Sequence, residues 1–378
     1  MNLEQIYEKK QKFEKRLKLE AKFWLLSRKD KILVNRKSIP PLTDKEINEI
    51  NNYWGKYGVK FKNYDSFRLF YYITGKKDPR FLPFSFVASV LYPHYNDSTK
   101  SRTYADKNMF CKFMPDMKFP KLIGQRINKR YFDETGKYYG EEVCDEYVNH
   151  LFEYISKENN YTIILKEAFD TNTGKGVKKY VVTNANILKE TLAYRKSENY
   201  LIQFGIRQHP FFSQFNNDSV NIIRITTWRK GNKVHIFSPC IRFGIPGSAT
   251  DVAYVNGHEI VNCIGIDRTG IIFDKGIDLS GNVLEIDIKN KKVPCWEKIV
   301  DLVSENHLAL HYFDIIGWDI TVDEEFNVIC IEYNIREPGT QVYQFAHGPL
   351  AGETTDELLE FLLNKDMQSK YLPWQILK

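Results

Sequence analysis

Two carboxylates and one amide stand in the sequence at a spacing that could hold a divalent metal ion. Asp319 lies in an alternating run that begins at residue 317, and Glu332 and Asn334 lie in a second run beyond a short polar segment. This pattern predicts a β-hairpin. Pairing about a centre between residues 325 and 326 sets Asp319 opposite Glu332, and Asn334 shares their face because it is two residues from Glu332. These hard oxygen ligands suit Mg²⁺ bridging phosphate groups, although an ordinary solvated hairpin face has the same pattern.

A lysine near the end of a strand and a glycine-rich loop offer groups for phosphate. The predicted strand at 161–167 contains Lys166, and the run Gly174-Lys175-Gly176 leads into the next strand. Glycines allow backbone N–H groups to approach phosphate oxygens, and lysines add positive charge. The loop is not a Walker loop, because the pattern G-x4-G-K-[S/T] is absent. An ordinary hairpin turn explains the loop equally well, so Lys166 is the stronger candidate.

Two arginines interrupt neighbouring apolar strands. Arg224 lies within the run 220–228, and Arg242 lies at the end of the run 233–243. A guanidinium group in such a strand requires an anionic partner when it is buried. Two of them on adjacent strands could clamp a phosphoryl group during its transfer. Two structural salt bridges are the alternative.

The elements that must position these residues mix helices and strands without a strict βαβ alternation, which predicts the α+β class. Helical spacing predicts helices at 1–34, 43–54, 142–156, 295–312 and 354–364, and further helix within 60–95 that ends near Pro93. Alternation predicts strands at 161–167, 177–182, 200–204, 220–228 and 233–243, and hairpins around 133–137 and at 317–335.

Composition and charge exclude several classes of protein. The 378 residues carry a net charge of +6, but residues 1–40 hold 12 Lys and Arg against 5 Asp and Glu, so the other 338 residues sum to −1. A nucleic-acid enzyme more often spreads its basic residues along a groove, so we expect no nucleic-acid partner. No apolar run reaches 18 residues, no signal peptide is recognisable, and the six cysteines have no paired spacing. We therefore expect a cytoplasmic protein that does not span a membrane.

In this order, these segments resemble the ATP-grasp superfamily over roughly residues 83–350. The resemblance rests on Ala105-Asp106-Lys107 with Phe119-Pro120, Ile163-Ile-Leu-Lys166 with Gly174-Lys-Gly-Val177, Leu201-Ile-Gln-Phe204, the two strand arginines, and Gly317-Trp-Asp319 with Glu332-Tyr-Asn334 and Pro338-Gly339. Gln208-His209-Pro210 and Ser219-Val-Asn221-Ile-Ile-Arg224 resemble the branch called sugar-transfer-associated ATP-grasp.

The resemblance implies ATP and Mg²⁺ as cofactors, held between two α+β lobes, and it implies a role for each matching residue. Lys107, Lys166, Gly174, Lys175 and Gly176 would contact the phosphates of ATP, and Gln203 and Phe204 would lie at the hinge beside adenine; Arg242, supported by Arg224, would stabilise the transferring phosphoryl group; Asp319, Glu332 and Asn334 would hold Mg²⁺; His209, Asn221, Asp251 and Arg336 would face the substrates. The candidates for a general base are His209, Asp251 and His258.

We divide the chain into an N-terminal helical accessory region at 1–95, a nucleotide subdomain at 96–203 and a C-terminal subdomain with the metal site at 204–378. The resemblance implies a carboxylate–amine ligase that acts through an acyl phosphate, with small molecules or glycan precursors as substrates, in the biosynthesis of cell-surface polysaccharides. A phosphotransferase acting on a hydroxyl and a non-catalytic binding module remain the alternatives.

The basic N-terminus is expected to be separable from the nucleotide site. It is either a solvated helix face or a peripheral contact with an anionic surface. His307 and His311 stand four residues apart on a predicted helix and could bind zinc, but no third ligand supports this reading, and a helix face is the better interpretation.

Overall fold

The protein has the predicted α+β architecture, in which two antiparallel sheets stand beside an N-terminal group of helices. The computed structural model describes residues 3–169, 176–193, 197–288, 291–336 and 338–378. The described α-helices are α1 (Leu3–Arg36), α2 (Asp44–Gly55), α3 (Asp65–Thr74), α4 (Phe84–Phe86), α5 (Tyr92–Tyr95), α6 (Ser101–Tyr104), α7 (Phe110–Phe113), α8 (Asp145–Lys157), α9 (Ala185–Ala193), α10 (Pro210–Ser213), α11 (Trp296–Ala309), α12 (Gln341–His347), α13 (Thr355–Leu359) and α14 (Lys365–Tyr371).

The helix boundaries follow local signals at some ends and not at others. The capping box predicted at the start of α2 is present, because Thr43 accepts from the backbone N–H of Glu46 and the Glu46 carboxylate accepts from the backbone N–H of Thr43. The helical run that was predicted to end near Pro93 contains a π-helical turn at Val87–Leu91 and ends at Tyr95. The helix predicted to be last is followed by α14.

Helix α1 packs through a narrow stripe of its surface. Its buried residues are Phe23, Asp30 and Val34, whose spacings of seven and four keep them on one side of the helix. Several apolar residues near its start, among them Leu3, Tyr7 and Phe13, are exposed. The predicted helix is therefore confirmed, but only its second half, from Phe23 to Val34, has buried residues, whereas the apolar pattern begins at Leu3.

The smaller sheet has six strands in the order β3-β2-β1-β6-β4-β5. These strands are β1 (Leu122–Ile127), β2 (Arg130–Asp133), β3 (Tyr138–Gly140), β4 (Thr162–Glu167), β5 (Val177–Val181) and β6 (Tyr200–Phe204). One apolar core joins the sheet to α8 and α9, with Leu151, Ile163 and Leu188 fully buried in it. The hairpin predicted around 133–137 is the connection between β2 and β3.

The larger sheet has eight strands and carries a different apolar core on each face. Its main path is β12-β11-β10-β8-β7-β13-β14, and β9 pairs with β10. These strands are β7 (Ile222–Lys230), β8 (Lys233–Phe243), β9 (Val252–Val255), β10 (His258–Ile266), β11 (Ile272–Asp278), β12 (Val283–Glu285), β13 (Ile315–Val322) and β14 (Val328–Asn334). Trp318 and Ile320 pack with α11 on one face, whereas Cys240 and Cys263 on the other face join the core of the N-terminal helices and α12.

The hairpin of β13 and β14 pairs Asp319 with Glu332, as the sequence predicts, but a bulge is needed to reach that register. Beside the turn, Ile320 pairs with Cys330, so Ile331 is an extra residue in β14. If the register of the turn continued unbroken, Asp319 would face Ile331. The bulge therefore brings the two carboxylates to the same face of the sheet.

Buried Asn96 ties the end of the N-terminal helices to this hairpin, so we predict that Asn96→Ala destabilises the protein. Its amide donates to the carbonyls of Ile315 and Ile335 at 2.8 and 2.9 Å, and its oxygen accepts from the backbone N–H groups of Asp314 and Ile315. Alanine would leave these buried groups unsatisfied, at a cost of roughly 2–4 kcal/mol.

The measurement is the denaturant midpoint of the Asn96→Ala protein, compared with that of Asn52→Ala. Asn52 is exposed on α2, and its replacement should change the stability by less than about 0.5 kcal/mol. Equal midpoints for the two variants would show that Asn96 does not join the two regions.

Candidate active site

Three charged side chains form one row across adjacent strands of the larger sheet. Arg224 on β7 pairs with Asp319 on β13, and Asp319 pairs with Glu332 on β14. Arg242 on β8 is two residues from Cys240, which pairs with Arg224, so Arg242 lies on the same face. The period of the strands therefore sets two carboxylates and two guanidinium groups side by side.

Arg224 and Asp319 form a buried, two-pronged ion pair. The Arg224 Nη2 atom lies 2.8 Å from Asp319 Oδ2, and its Nε donates to Oδ1. Burial opposes the charge on Arg224, but the neighbouring carboxylate outweighs it and raises the pKa of the guanidinium. Asn334 Nδ2 also donates to Asp319 Oδ2 at 3.1 Å. Arg224 is therefore engaged in holding Asp319.

Glu332 lies between two lysines from different parts of the chain. Lys166 Nζ on β4 is 3.0 Å from Glu332 Oε2, and Lys107 Nζ is 3.7 Å from the same oxygen. Lys166 also donates to the backbone carbonyl of Ile331 at 3.3 Å. Burial raises the pKa of Glu332, but the two lysines outweigh burial and hold that pKa at about 2. Burial lowers the pKa of Lys107.

Two of the three guanidinium nitrogens of Arg242 have partners among the described residues, and the third has none. Its Nη2 forms an ion pair with Asp251, and its Nη1 donates to the hydroxyl of Tyr343 at 3.3 Å. The buried Nε has no hydrogen-bond partner among the described residues. Burial raises the pKa of Asp251, although Arg242 opposes that shift, and burial also raises the pKa of Tyr343. Arg242 can therefore offer an N–H to a further anion.

These groups face a cavity of about 710 Å³ between the two sheets. The smaller sheet contributes Ile164, Lys166, Val177, Gln203 and Phe204; the larger sheet contributes Arg224, Arg242, Asp319, Glu332 and Asn334; the remainder of the wall includes Asp251, Arg336, the segment 338–343, and Leu26, Lys29, Asp30 and Leu33 of α1. The cavity thus has one end at the smaller sheet and another at α12 and α1.

The donor set fits Mg²⁺ in its chemistry. Asp319, Glu332 and Asn334 present carboxylate and amide oxygens on one face, the ligands that Mg²⁺ prefers. The charges of the two carboxylates are balanced here by Arg224, Lys166 and Lys107. A cation bound at Glu332 would neutralise its carboxylate, so that Lys107 and Lys166 could pair with phosphate oxygens instead.

Most of the predicted site residues line the cavity: Lys166, Gln203, Phe204, Arg224, Arg242, Asp251, Asp319, Glu332, Asn334 and Arg336. Lys107 joins the group through Glu332. Gly174 and Lys175 lie outside the described residues. Gly176 is described, with a φ of +84° that favours glycine, and its neighbour Val177 lines the cavity.

His209 and Asn221 were expected to face substrate and are absent from the described cavity wall. The His209 ring accepts from the N–H of Phe211 and caps α10. The Asn221 amide is fully buried and donates to Gln208 and to the carbonyls of Phe212 and Asn216. Both side chains support the loop before β7 in this structure, and their expected contact with substrate stays a prediction.

The other candidate histidines, His258, His307 and His311, also lie outside the described cavity wall. His258 is exposed at the start of β10 and is not part of the described cavity wall. His307 is fully buried, with Nδ1 2.7 Å from the Thr227 hydroxyl and Nε2 3.0 Å from the Phe313 carbonyl. Burial lowers its pKa to about 3, so it packs as a neutral ring. His311 is exposed, and the two histidines do not form a zinc site.

The sequence did not single out Tyr343 or Asp30, both of which line the cavity. Tyr343 follows Pro338-Gly339 with no periodic signal. Asp30 could have been found, because it stands at a packing position of an otherwise basic helix. Four residues of α1 belong to the cavity wall, whereas the expectation that residues 1–34 are separable from the nucleotide site stays a prediction.

Comparison with known proteins identifies the class of protein. Residues 87–357 match the model of the family described as sugar-transfer associated ATP-grasp, and the chain belongs to this family. ATP and Mg²⁺ are the typical cofactors of this fold. No curated protein sequence matches the chain. Among the described residues, no helix has the length and apolar character needed to cross a membrane.

Several solved structures are distantly similar. D-alanyl-alanine synthetase A from Vibrio cholerae is 10% identical with a TM-score of 0.41, and the match covers 75% of this chain and 66% of that one. The VanG D-Ala:D-Ser ligase from Enterococcus faecalis is 11% identical with a TM-score of 0.40, covering 71% and 63%. Biotin carboxylase from Campylobacter jejuni is 13% identical with a TM-score of 0.39, covering 72% and 48%. The chain thus spans between about half and two thirds of their lengths.

We predict that replacing Glu332 with Gln destabilises the protein at neutral pH and matters less in acid. The folded pKa of about 2 lies below the ordinary value of 4.5. Ionised Glu332 therefore stabilises the fold above about pH 4.5, and this contribution is lost as the pH falls toward 2.

The measurement is the unfolding midpoint of both proteins in denaturant from pH 7 to pH 3. The difference in unfolding midpoint between wild type and Glu332→Gln should be largest at pH 6–7 and should shrink below pH 4.5. The other carboxylates titrate alike in both proteins, so their effect cancels in this difference. A gap that stays constant with pH would contradict the charged pairing.

Proposed function

We propose that the protein is an ATP- and Mg²⁺-dependent carboxylate–amine ligase that acts through an acyl phosphate. The observation that carries this proposal is the charged row of Arg224, Asp319 and Glu332, met by Lys166 from the opposite sheet at one cavity. Membership in the sugar-transfer associated ATP-grasp family supports it.

In this proposal, the smaller sheet binds the nucleotide. Gln203 and Phe204 on β6 border adenine, and Lys166 and Lys107 face the phosphates. When bound, Mg²⁺ supplies charge neutralisation at the phosphates, and Asp319, Glu332 and Asn334 would hold it. Lys166 then exchanges its carboxylate partner for a phosphate oxygen, and the buried charges stay balanced.

The proposed reaction has two steps and needs no protein nucleophile. A substrate carboxylate oxygen attacks the γ-phosphorus, which forms the acyl phosphate and breaks the bond to ADP. The acceptor amine then attacks the acyl carbon, phosphate leaves, and the amine loses a proton. Arg242 stabilises the negative charge in both steps. Asp251 is the base we favour, because it alone of the three candidates lines the described part of the cavity.

We further propose that the enzyme works in the cytoplasm and joins an amino acid or another amine to a sugar acid for cell-surface polysaccharide. The family description supports the sugar class. Purified protein should first show a thermal shift with Mg²⁺ and ADP or ATP, and its absence would end the proposal. An ADP-release screen of sugar acids paired with amines should then yield a productive pair.

The two alternative functions predict different products. A phosphotransferase would make a phosphate ester from a hydroxyl, and a binding module would release no ADP at all. Adding hydroxylamine to the ADP-release screen separates them, because an acyl phosphate is trapped as a hydroxamate. ADP release without amide or hydroxamate would favour the phosphotransferase.

We also propose that the start of α1 contacts an anionic lipid surface. Lys9, Lys10 and Lys12 are exposed there beside exposed Leu3 and Phe13. The full chain should then sediment with vesicles that contain phosphatidylglycerol and not with phosphatidylcholine vesicles. Replacing the three lysines with Gln should abolish sedimentation, and sedimentation that persists would contradict this contact.

Lys166→Met is predicted to weaken MgADP binding at least about tenfold, because a nearly isosteric apolar side chain removes a positive charge from the phosphate end of the cavity. The measurement is isothermal titration. Lys178→Met is the matched control, since Lys178 is exposed on neighbouring β5. Equal affinities for the two variants would contradict the role of Lys166.

Arg242→Lys is predicted to lower turnover by about 10²-fold or more while MgADP affinity changes little, because Arg242 acts on charge that develops during transfer. Turnover is read as ADP release with a productive pair. Arg229→Lys is the control, because Arg229 forms a structural pair with Asp314 on the same sheet. A normal rate for Arg242→Lys would exclude the proposed role.

A further inference from the structure

Helix α1 places a carboxylate in the wall of the cavity. Asp30 is only 5% exposed and lines the cavity together with Leu26, Lys29 and Leu33 of the same helix. The family match begins at residue 87, so this part of the wall lies outside it. The wall contributed by α1 is therefore a feature of this chain beyond the matched region.

Asp30 is held by neutral groups. Its Oδ2 accepts from the Ser66 hydroxyl at 2.5 Å, and its Oδ1 accepts from Gln341 Nε2 at 2.8 Å. No lysine or arginine in the described part of the chain forms an ion pair with it, and Asp65 and Lys29 affect its pKa less than burial and these two hydrogen bonds do. Burial raises the pKa of Asp30 to about 6, so it is mostly ionised at neutral pH.

A second observation points to a ligand at this end of the cavity. The Thr340 hydroxyl is fully buried and has no hydrogen-bond partner among the described residues. Thr340 lines the cavity next to Gln341. Buried polar groups nearly always have a partner, so an orphan hydroxyl in a cavity wall indicates a polar ligand.

This end of the cavity is joined to the charged row through one short helix. Gln341, which holds Asp30, and Tyr343, whose hydroxyl accepts from Arg242, both lie on α12. The nucleotide groups Gln203 and Phe204 come from the smaller sheet. The acceptor in the proposed reaction has to approach Arg242 from a side that ATP does not occupy.

We propose that Asp30 binds an ammonium group of the acceptor substrate, with the Thr340 hydroxyl as an additional polar contact. A buried carboxylate without a cationic partner attracts a positive group and repels a second carboxylate. The substrate class is therefore a primary amine that binds as its ammonium ion, flanked by the apolar side chains of Leu26, Leu33 and Phe84. The ammonium gives one proton to the general base before its nitrogen attacks the acyl carbon. This assignment rests on the proposed function.

The test uses amines and their hydroxyl counterparts with the full chain in the presence of MgADP. The probes are glucosamine against glucose, ethanolamine against ethylene glycol, and alanine against lactate. At least one amine should raise the melting temperature of the wild-type protein more than its hydroxyl counterpart does. Asp30→Asn should weaken the binding of that amine about tenfold or more. If no amine exceeds its counterpart, or if Asp30→Asn binds it as wild type does, the proposal is wrong.

Asparagine keeps the shape of the side chain and can still bond to Ser66 and Gln341. Asp30→Ser serves the same purpose if the asparagine variant does not fold. Glu14→Gln is the matched control, because Glu14 is exposed on the same helix. The MgADP shift is measured in the same samples: its loss in wild type contradicts the proposed function, whereas its retention without amine selectivity contradicts only the role of Asp30.

Discussion

The ion pair between Lys166 and Glu332 is the interaction on which the rest of the site depends. Lys166 belongs to the smaller sheet and Glu332 to the larger one, so the pair joins the two sheets across the cavity. Neither charge is tolerable in a largely buried place without the other. The same requirement explains the Arg224–Asp319 pair beside it. Substrate binding can therefore exchange partners among these charges but cannot leave one unpaired.

Strand periodicity made much of this site predictable. The period of two fixed which face each of Arg224, Asp319 and Glu332 occupies, and hairpin pairing gave the match of Asp319 with Glu332. The bulge at Ile331 was not predictable, because nothing local in the sequence marks an extra residue. The cap that His209 forms on α10 was not predictable either, because a polar residue beside a motif can equally well cap a helix or face a ligand.

The part of the site that could not be predicted consists of contacts between segments that lie far apart in the chain. Asp30 meets Gln341 across more than 300 residues of chain, and Tyr343 meets Arg242 across about 100. Such contacts arise because α12 packs on β8 and β10 of the larger sheet, whereas α1 packs against α3 and α4. The N-terminal helices, which the sequence presented as an accessory region, thus complete the wall of the cavity at the end away from the nucleotide groups.

The central claim is that a nucleotide–metal complex takes over the charges now paired between Lys166 and Glu332. The most direct measurement is a crystal structure with Mg²⁺ and a non-hydrolysable ATP analogue. We predict that the nucleotide lies between the sheets, that Lys166 contacts a phosphate oxygen and that Mg²⁺ contacts Glu332. A nucleotide bound elsewhere, or one bound while Lys166 stays 3.0 Å from Glu332 with no metal beside it, would contradict the account.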